Sequence, residues 1–269
     1  MMLQKFAFAL FENTTENSLM FMIYLLNLDS AGNEIYMFKK IILFLLLIML
    51  KNPCFAEQTI FNIPSADITP KGRVCLQQEA QFRTWGDDAF FTGTTYGALG
   101  LGNNTELSVD LFNVNVPLTR NISLGVGFKS SSPIAGLEEK FPEREFKFTV
   151  GSNVLIGLEG NGVGNWSYTH LSGRVPKLNT RITAGLSFGT RQAFGETNLS
   201  FIGAVEQPIT KKMNLIAEWY SGKSHLNGLL IVGGSYALPK ETTIHLGYQI
   251  PNTPQNGVSG FVVQVSKMF

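Results

Sequence analysis

Residues 242–250 read TTIHLGYQI, and their side chains alternate between two kinds. One kind comprises Thr242, Ile244, Leu246, Tyr248 and Ile250, and the other comprises Thr243, His245, Gly247 and Gln249. A period of two residues is typical of a β-strand with one apolar and one polar face. The polar face is the one that carries the small residues. The stretch therefore predicts a strand whose bulky side chains face an apolar medium.

The same alternation recurs in segments of about ten residues, separated by turn residues, which is the pattern of a membrane β-barrel. We predict twelve strands, an even number, as single-chain bacterial barrels have. Residues 86–101 and 131–175 alternate poorly, so the number ranges from roughly ten to fourteen. The predicted strands are 73–85, 94–101, 105–114, 121–130, 145–157, 165–175, 180–190, 197–206, 212–221, 227–237, 241–250 and 258–269.

The composition distinguishes a membrane barrel from a soluble β-sandwich. Charged residues make up only 15% of the chain, against roughly 25% in soluble domains, and the outer faces of a sandwich would need many Lys and Glu. We therefore predict an all-β fold, an antiparallel up-and-down transmembrane β-barrel of about 12 strands. The side chains expected to face lipid are Leu186, Phe188, Leu246, Tyr248, Val263 and Val265, with Trp219 in an interfacial aromatic girdle.

The last nine residues, FVVQVSKMF at 261–269, also alternate and end on an aromatic side chain. An unpaired strand edge in lipid would leave backbone groups unsatisfied. We therefore expect the last strand to pair with the first and close the barrel. The outward row of Phe261, Val263 and Val265 would then continue that of the first strand, which carries Val74, Leu76, Ala80 and Phe82.

Three predicted hairpin connections contain proline, namely Pro176, Pro208 and Pro239, and they recur at intervals of one hairpin. Proline cannot donate to a strand ladder and belongs at strand ends. The strand count places these connections at the same rim as both termini. We expect this rim to be periplasmic.

Residues 37–56 have the order of a secretory signal peptide: a basic start at 37–40, an apolar core at 41–50 and a small residue, Ala56, at the expected cleavage site. The core is too short to span a bilayer. Residues 1–36 would then be an extension upstream of the true start at Met37. Residues 57–72 are predicted to be a periplasmic segment, and residues 73–269 the barrel.

Several stretches resemble a porin-like group of bacterial outer-membrane β-barrels to which no substrate or reaction is assigned. They are FNIPSADITPKG (61–72), AEWYSGKSHLNG (217–228) and IHLGYQIPN (244–252). The last strand is similar to the assembly signal of outer-membrane proteins, although Lys267 stands where an aromatic is common. The resemblance implies an outer-membrane location, with the lipid bilayer and the outer-membrane barrel assembly machinery as partners. It assigns the assembly signal to Phe261, Val263, Val265 and Phe269.

Strand parity predicts a lumen with charges of both signs in equal number. Confined charges of both signs normally pair, so the alternatives are a rigid salt-bridge network and a channel that orders a polar solute. The basic candidates are Arg73, Arg83, Lys129, Lys147, Arg174 and Arg181, and the acidic ones are Glu79, Glu106, Asp110, Glu159, Glu206 and Glu218.

Catalysis is not expected from this sequence. His170 and His245 are predicted to face the lumen, but a serine–histidine arrangement needs a nucleophile within hydrogen-bond reach and a third group to orient the base. No cofactor or metal site is predicted, and a net charge of +1 does not suggest nucleic-acid binding. The leading hypothesis is a passive conduit for small polar solutes. The alternatives are a closed structural or surface-interaction barrel and a membrane-embedded hydrolase.

Overall fold

The computed structural model describes residues 58–83, 90–114, 122–158, 160, 162–191, 198–223, 228–254 and 259–269. Within these residues, twelve strands form one closed antiparallel sheet in which each strand pairs with its neighbours in sequence. The predicted up-and-down barrel is therefore confirmed. The strands are β1 Val74–Arg83, β2 Phe90–Gly102, β3 Thr105–Val114, β4 Ser123–Pro133, β5 Lys147–Gly157, β6 Val163–Arg174, β7 Arg181–Gly189, β8 Leu199–Pro208, β9 Met213–Tyr220, β10 Leu229–Leu238, β11 Thr242–Pro251 and β12 Gly260–Met268.

The first and last strands close the barrel in the predicted way. β1 pairs with β12 in a register that runs from Cys75 opposite Met268 to Phe82 opposite Phe261. Phe269 extends the pairing by one residue, because its N–H donates to the carbonyl of Val74 at 2.8 Å. Closure pairs the backbone groups of both terminal strands, which would otherwise be sheet edges.

The region between β4 and β5 differs most from the regular pattern. Leu137–Lys140 forms one turn of helix, α1, and Pro142–Arg144 forms a 3-10 turn. β4 continues to Pro133, so residues 134–144, within the poorly alternating stretch 131–175, form a connection with two helical turns and add no strand. The predicted segments 1–36 and 37–56 lie outside the described residues. Among the described residues, no helix is long and apolar enough to cross a bilayer.

Alternate side chains on the strands face opposite sides of the barrel wall. The outward side chain of Leu246 is 58% exposed, whereas inward Gln264 is 0% exposed. The outward positions predicted to face lipid follow this division: Phe188, Leu246 and Trp219 are exposed, and Leu186, Tyr248, Val263 and Val265 are half-buried. The barrel therefore has an apolar outer face and a polar inner one.

The rim at which β1 begins and β12 ends is called the terminal rim here, and the opposite edge the far rim. The proline-containing connections between β6 and β7, β8 and β9, and β10 and β11 all lie at the terminal rim, as predicted. The β10–β11 turn has positive φ at Lys240 and Glu241. Two successive positive φ angles give the twist that a tight hairpin needs.

Candidate functional site

The residues that precede β1 lie inside the barrel. Residues 58–70, called the plug here, bond to Glu106 on β3, Arg181 on β7, Glu218 on β9 and Gln264 on β12. A short segment can reach strands on all sides of a closed barrel only from within. We expected residues 57–72 to form a periplasmic segment, whereas the structure places 58–69 in the lumen and leaves only 70–72 exposed.

The plug is a hairpin whose two arms point to the terminal rim. Thr59 and Pro64 form an antiparallel bridge, and the N–H of Ile60 donates to the carbonyl of Ile63 at 2.8 Å to make the turn. Gln58 returns to the level of Thr69, to which it donates at 3.0 Å. The tip, residues 60–63, therefore lies deepest in the lumen, and both ends of the hairpin face the same opening.

The tip is held through its main chain by the carboxylate of Glu218. The N–H groups of Phe61, Asn62 and Ile63 donate to its two oxygens at 2.9, 2.7 and 3.0 Å. Consecutive N–H groups that converge in this way form an anion-binding concavity. The amide of Gln264 donates to the carbonyl of Phe61 at 2.6 Å, so the wall bonds to both N–H and carbonyl groups of the tip.

Both arms of the plug are held by an ion pair between neighbouring strands. Glu106 on β3 accepts the N–H of Thr69 at 2.7 Å. Its partner Lys129 on β4, 3.0 Å away, donates to the carbonyl of Gln58 at 3.3 Å. Each member of the pair thus bonds to the plug as well as to its partner.

The plug is also held by ion pairs of its own carboxylate, Asp67. It accepts from Arg181 at 2.9 Å and lies 3.7 Å from Lys147, and Arg181 also pairs with Glu206 at 2.6 Å. Burial acts to raise the pKa of the Asp67 carboxyl, but the charges of Arg181 and Lys147 outweigh it and hold that pKa below its usual value. Asp67 is therefore charged at neutral pH.

Apolar contacts complete the packing of the tip. Phe61 and Ile63 are fully buried and form a cluster with Ile60 and residues of the barrel wall. The ring of Phe61 lies edge-on to His245, with centroids 5.7 Å apart. The wall residues of this cluster are Ile202, Ala204, Ile216, Tyr220, Leu229, Ile231 and Val262.

A row of aromatic side chains lines the lumen beside the plug. Tyr96, Phe112, Trp166, Tyr168 and His170 follow one another with ring centroids 5.3 to 6.3 Å apart. A cavity of about 30 Å³ remains between this row and the plug, which is about enough for one water molecule. The plug and the aromatic row both line this cavity.

The predicted luminal residues fall into three groups. Those buried on the inner face are Glu79, Glu106, Asp110, Lys129, His170, Glu206, Glu218 and His245. Those half-buried are Arg73, Lys147, Arg174 and Arg181. Those whose side chains lie outside the described residues are Arg83 and Glu159.

The structure brings several of these charges together, but mostly along the wall rather than across the lumen. Lys129 pairs with Glu106 and Arg181 with Glu206, in each case between adjacent strands. At the terminal rim, Arg73 pairs with Glu241, and Arg174 pairs with Glu145 at 2.7 Å. Parity did not identify Asp67, Glu145 or Glu241 as partners.

The residues of the proposed assembly signal lie on the outer face of β12 and just beyond its end. Phe261 and Phe269 are exposed, and Val263 and Val265 are half-buried. The ammonium of Lys267 lies 5.3 Å from the centroid of the Phe269 ring. Among the described residues, no group of three or more His, Cys, Asp or Glu side chains is arranged to hold a metal ion.

Neither a protein-family model nor a curated protein matches the chain. The chain is similar to the solved structure of the KdgM porin in complex with disordered oligogalacturonate, at 14% identity and TM-score 0.48 over 73% of this chain and 99% of that one. It is similar to the Acinetobacter baumannii outer membrane protein Omp33 at 12% identity and TM-score 0.42, over 74% and 99%. For the translocator domain of the autotransporter NalP from Neisseria meningitidis the values are 18% and 0.37, over 73% and 88%. The fold assignment rests on the closed strand pairing itself.

Proposed function

We propose that this chain is a bacterial outer-membrane β-barrel protein, a porin-like conduit for small polar solutes that its own plug closes at rest. The observation that carries the proposal is a closed barrel with an apolar exterior and a polar lumen occupied by a hydrogen-bonded segment. Only closed barrels and helices satisfy their backbone groups in lipid. The signal peptide predicted at residues 37–56 supports export. Both ends of the barrel lie at the terminal rim, and we propose that this rim is periplasmic.

The charges of the lumen favour a conduit that does not select its solutes by the sign of their charge. Lys129 pairs with Glu106, and the two cations Arg181 and Lys147 lie against the two carboxylates Glu206 and Asp67. A passage lined by such pairs has little net field to select cations or anions. We therefore propose polar, mainly uncharged solutes of low mass.

A permanently closed structural barrel is the second candidate, and the burial of the plug tip favours it. Phe61 and Ile63 are 0% exposed, and removing such side chains from their apolar cluster is unfavourable. The hydrolase alternative has less support, because the imidazoles of His245 and His170 pack against the rings of Phe61 and Tyr168. Lipid hydrolysis by the protein that is lost in His245→Ala would support the hydrolase alternative.

The test combines fractionation with conductance. We expect the protein in the outer-membrane fraction, with heat-modifiable migration in gels. In planar bilayers we expect rare openings of the full-length protein and sustained conductance after deletion of residues 58–70. Recovery as a soluble periplasmic protein would contradict the location, and a folded deletion variant that stays silent over many insertions would favour the closed barrel.

A further inference from the structure

The barrel wall recognises the plug mainly through its main chain. Carboxylates of the wall accept plug N–H groups, as Glu218 and Glu106 do. Cationic and amide side chains donate to plug carbonyls: Lys129 to Gln58, Gln264 to Phe61 and Lys147 to Ala66. Such contacts need a peptide in a given conformation and do not need a particular covalent connection.

The course of the plug indicates the opening through which such a peptide can enter and leave the lumen. Both arms of the hairpin face the terminal rim, and Pro70, Lys71 and Gly72 are exposed there. Gly72 has a φ of +76°, a conformation that glycine adopts without strain. The described hairpin can therefore leave or return as a unit through this one opening.

We propose that the inner wall forms a peptide-binding site, centred on Glu218 and Glu106, that residues 58–70 occupy in cis and that a peptide can occupy in trans. The ligand class is a hairpin-forming peptide with an apolar tip. Glu218 takes the turn N–H groups, the Glu106–Lys129 pair takes both arms, at Thr69 and at Gln58, and Arg181 takes a carboxylate on the second arm. The inference deepens the proposed function and rests on it for one consequence, that occupancy closes the conduit.

The direct test uses a variant that lacks residues 58–70 and a synthetic peptide with the sequence of residues 57–70, labelled with a fluorophore at its C-terminus. Binding is measured by fluorescence anisotropy on the variant in detergent. We expect saturable binding. A matched peptide, N-methylated at the amides of Phe61, Asn62 and Ile63, keeps every side chain and removes the three donors to Glu218, so it should bind at least tenfold more weakly.

Two substitutions in the barrel wall test the same contact. Introducing Glu218→Gln into the deletion variant should weaken the unmodified peptide at least tenfold, whereas Glu241→Gln, which changes a carboxylate paired with Arg73 at the rim, should leave binding unchanged. Absence of saturable binding, or equal binding of the N-methylated peptide, would overturn the site. Because the assay needs no conductance, a folded deletion variant that binds peptide but never conducts would contradict the proposed function and leave the site standing.

A second variant serves if the deletion variant does not fold. A specific protease site inserted between Lys71 and Gly72, both exposed, lets the intact protein fold before its plug is cut free. After cleavage, the bound segment should exchange with an excess of the labelled peptide. A cut segment that never exchanges, or that departs and is not replaced by labelled peptide, would overturn the proposal.

Discussion

The ring of Phe61 lies directly over Gly247, and a Cβ placed on the glycine would come within 2.8 Å of the ring. The plug tip and the inner face of β11 are thus fitted to each other. Gly247 faces the lumen, and the Phe61 ring occupies the space that a side chain at this position would take.

This contact predicts the effect of adding a single methyl group. Gly247→Ala should force Phe61 from its position and destabilise the barrel by about 1–3 kcal/mol, the usual cost of overpacking. It should also increase conductance. Thermal unfolding followed by heat-modifiable gel migration and single-channel recording measure the two effects.

Gly203 provides the control, because a Cβ there would come no closer than 3.8 Å to a neighbouring atom. Gly203→Ala should behave like the wild type. The new methyl group would meet the Phe61 ring and Ile231 Cγ2. The double variant Gly247→Ala with Phe61→Ala should therefore lose less stability than the two single variants together, since the ring is gone and only the contact with Ile231 remains. Full additivity would contradict the contact.

The side chain of Glu218 should hold the tip strongly, because its two oxygens accept from three N–H groups. Glu218→Gln keeps the shape but places an NH₂ donor against donors. We expect a loss of about 1–3 kcal/mol, the cost of leaving buried polar groups unsatisfied, together with more frequent openings in bilayers.

Glu241→Gln is the matched substitution, since Glu241 bonds to Arg73 at the terminal rim rather than to the plug. It should leave the open probability of the full-length protein unchanged. Equal conductance of Glu218→Gln and wild type, with both folded, would show that the tip is not held by this carboxylate.

The sequence predicted the barrel because most strands carry the same two-residue alternation. The parity that assigns Leu246 to the outside and His245 to the inside is a local property of an extended chain. The strand number, the pairing of β1 with β12 and the rim of the proline turns could therefore be predicted from the sequence. The Glu106–Lys129 pair also follows from adjacent register.

The plug was not predicted because its contacts leave little trace in side-chain pattern. Residues 58–70 are irregular, and the wall bonds mainly to their N–H and carbonyl groups, which every residue has. A signal was available in the apolar residues Ile60, Phe61 and Ile63, which stand before the first strand with no predicted partner. Small inward residues such as Gly247 were a second signal, since they leave space that needs an occupant.

Acidification should loosen the arm anchored by Asp67. The folded state holds the pKa of Asp67 below its ordinary value of 3.8, so the unfolded or released segment binds the proton more readily. The stabilisation is therefore complete above the ordinary value and is lost as the pH falls through the lowered one. Conductance recorded across this range should rise at the acid end.

Asp67→Asn isolates this effect from other carboxyl groups. The variant lacks the charge that pairs with Arg181, so it should open more often than wild type at neutral pH. Its further rise on acidification should be smaller than that of the wild type. An identical pH profile in the two proteins would assign the acid response to other groups.

The outward face of β11 provides a test of lipid contact. Leu246 is exposed on the barrel exterior, so Leu246→Arg should cost roughly 2–4 kcal/mol if the residue meets the bilayer interior. Leu246→Phe keeps an apolar side chain at the same position and should have little effect. Unfolding by urea in phospholipid vesicles measures both, and equal stability of the two variants would place Leu246 outside the hydrocarbon region.

The last residue separates main-chain from side-chain effects in barrel closure. The N–H of Phe269 donates to Val74 at 2.8 Å, and its carbonyl accepts from Val74 at 3.3 Å, while its ring is exposed. Deleting Phe269 removes both bonds at the seam between β1 and β12, and also the aromatic end that resembles an assembly signal. We expect little of the truncated protein in the outer membrane and degradation of the rest in the periplasm.

Phe269→Ala keeps the two backbone bonds, so its level in the membrane measures the ring alone. Levels of both variants equal to wild type, with the same resistance to protease, would show that neither the bonds nor the ring is needed for closure.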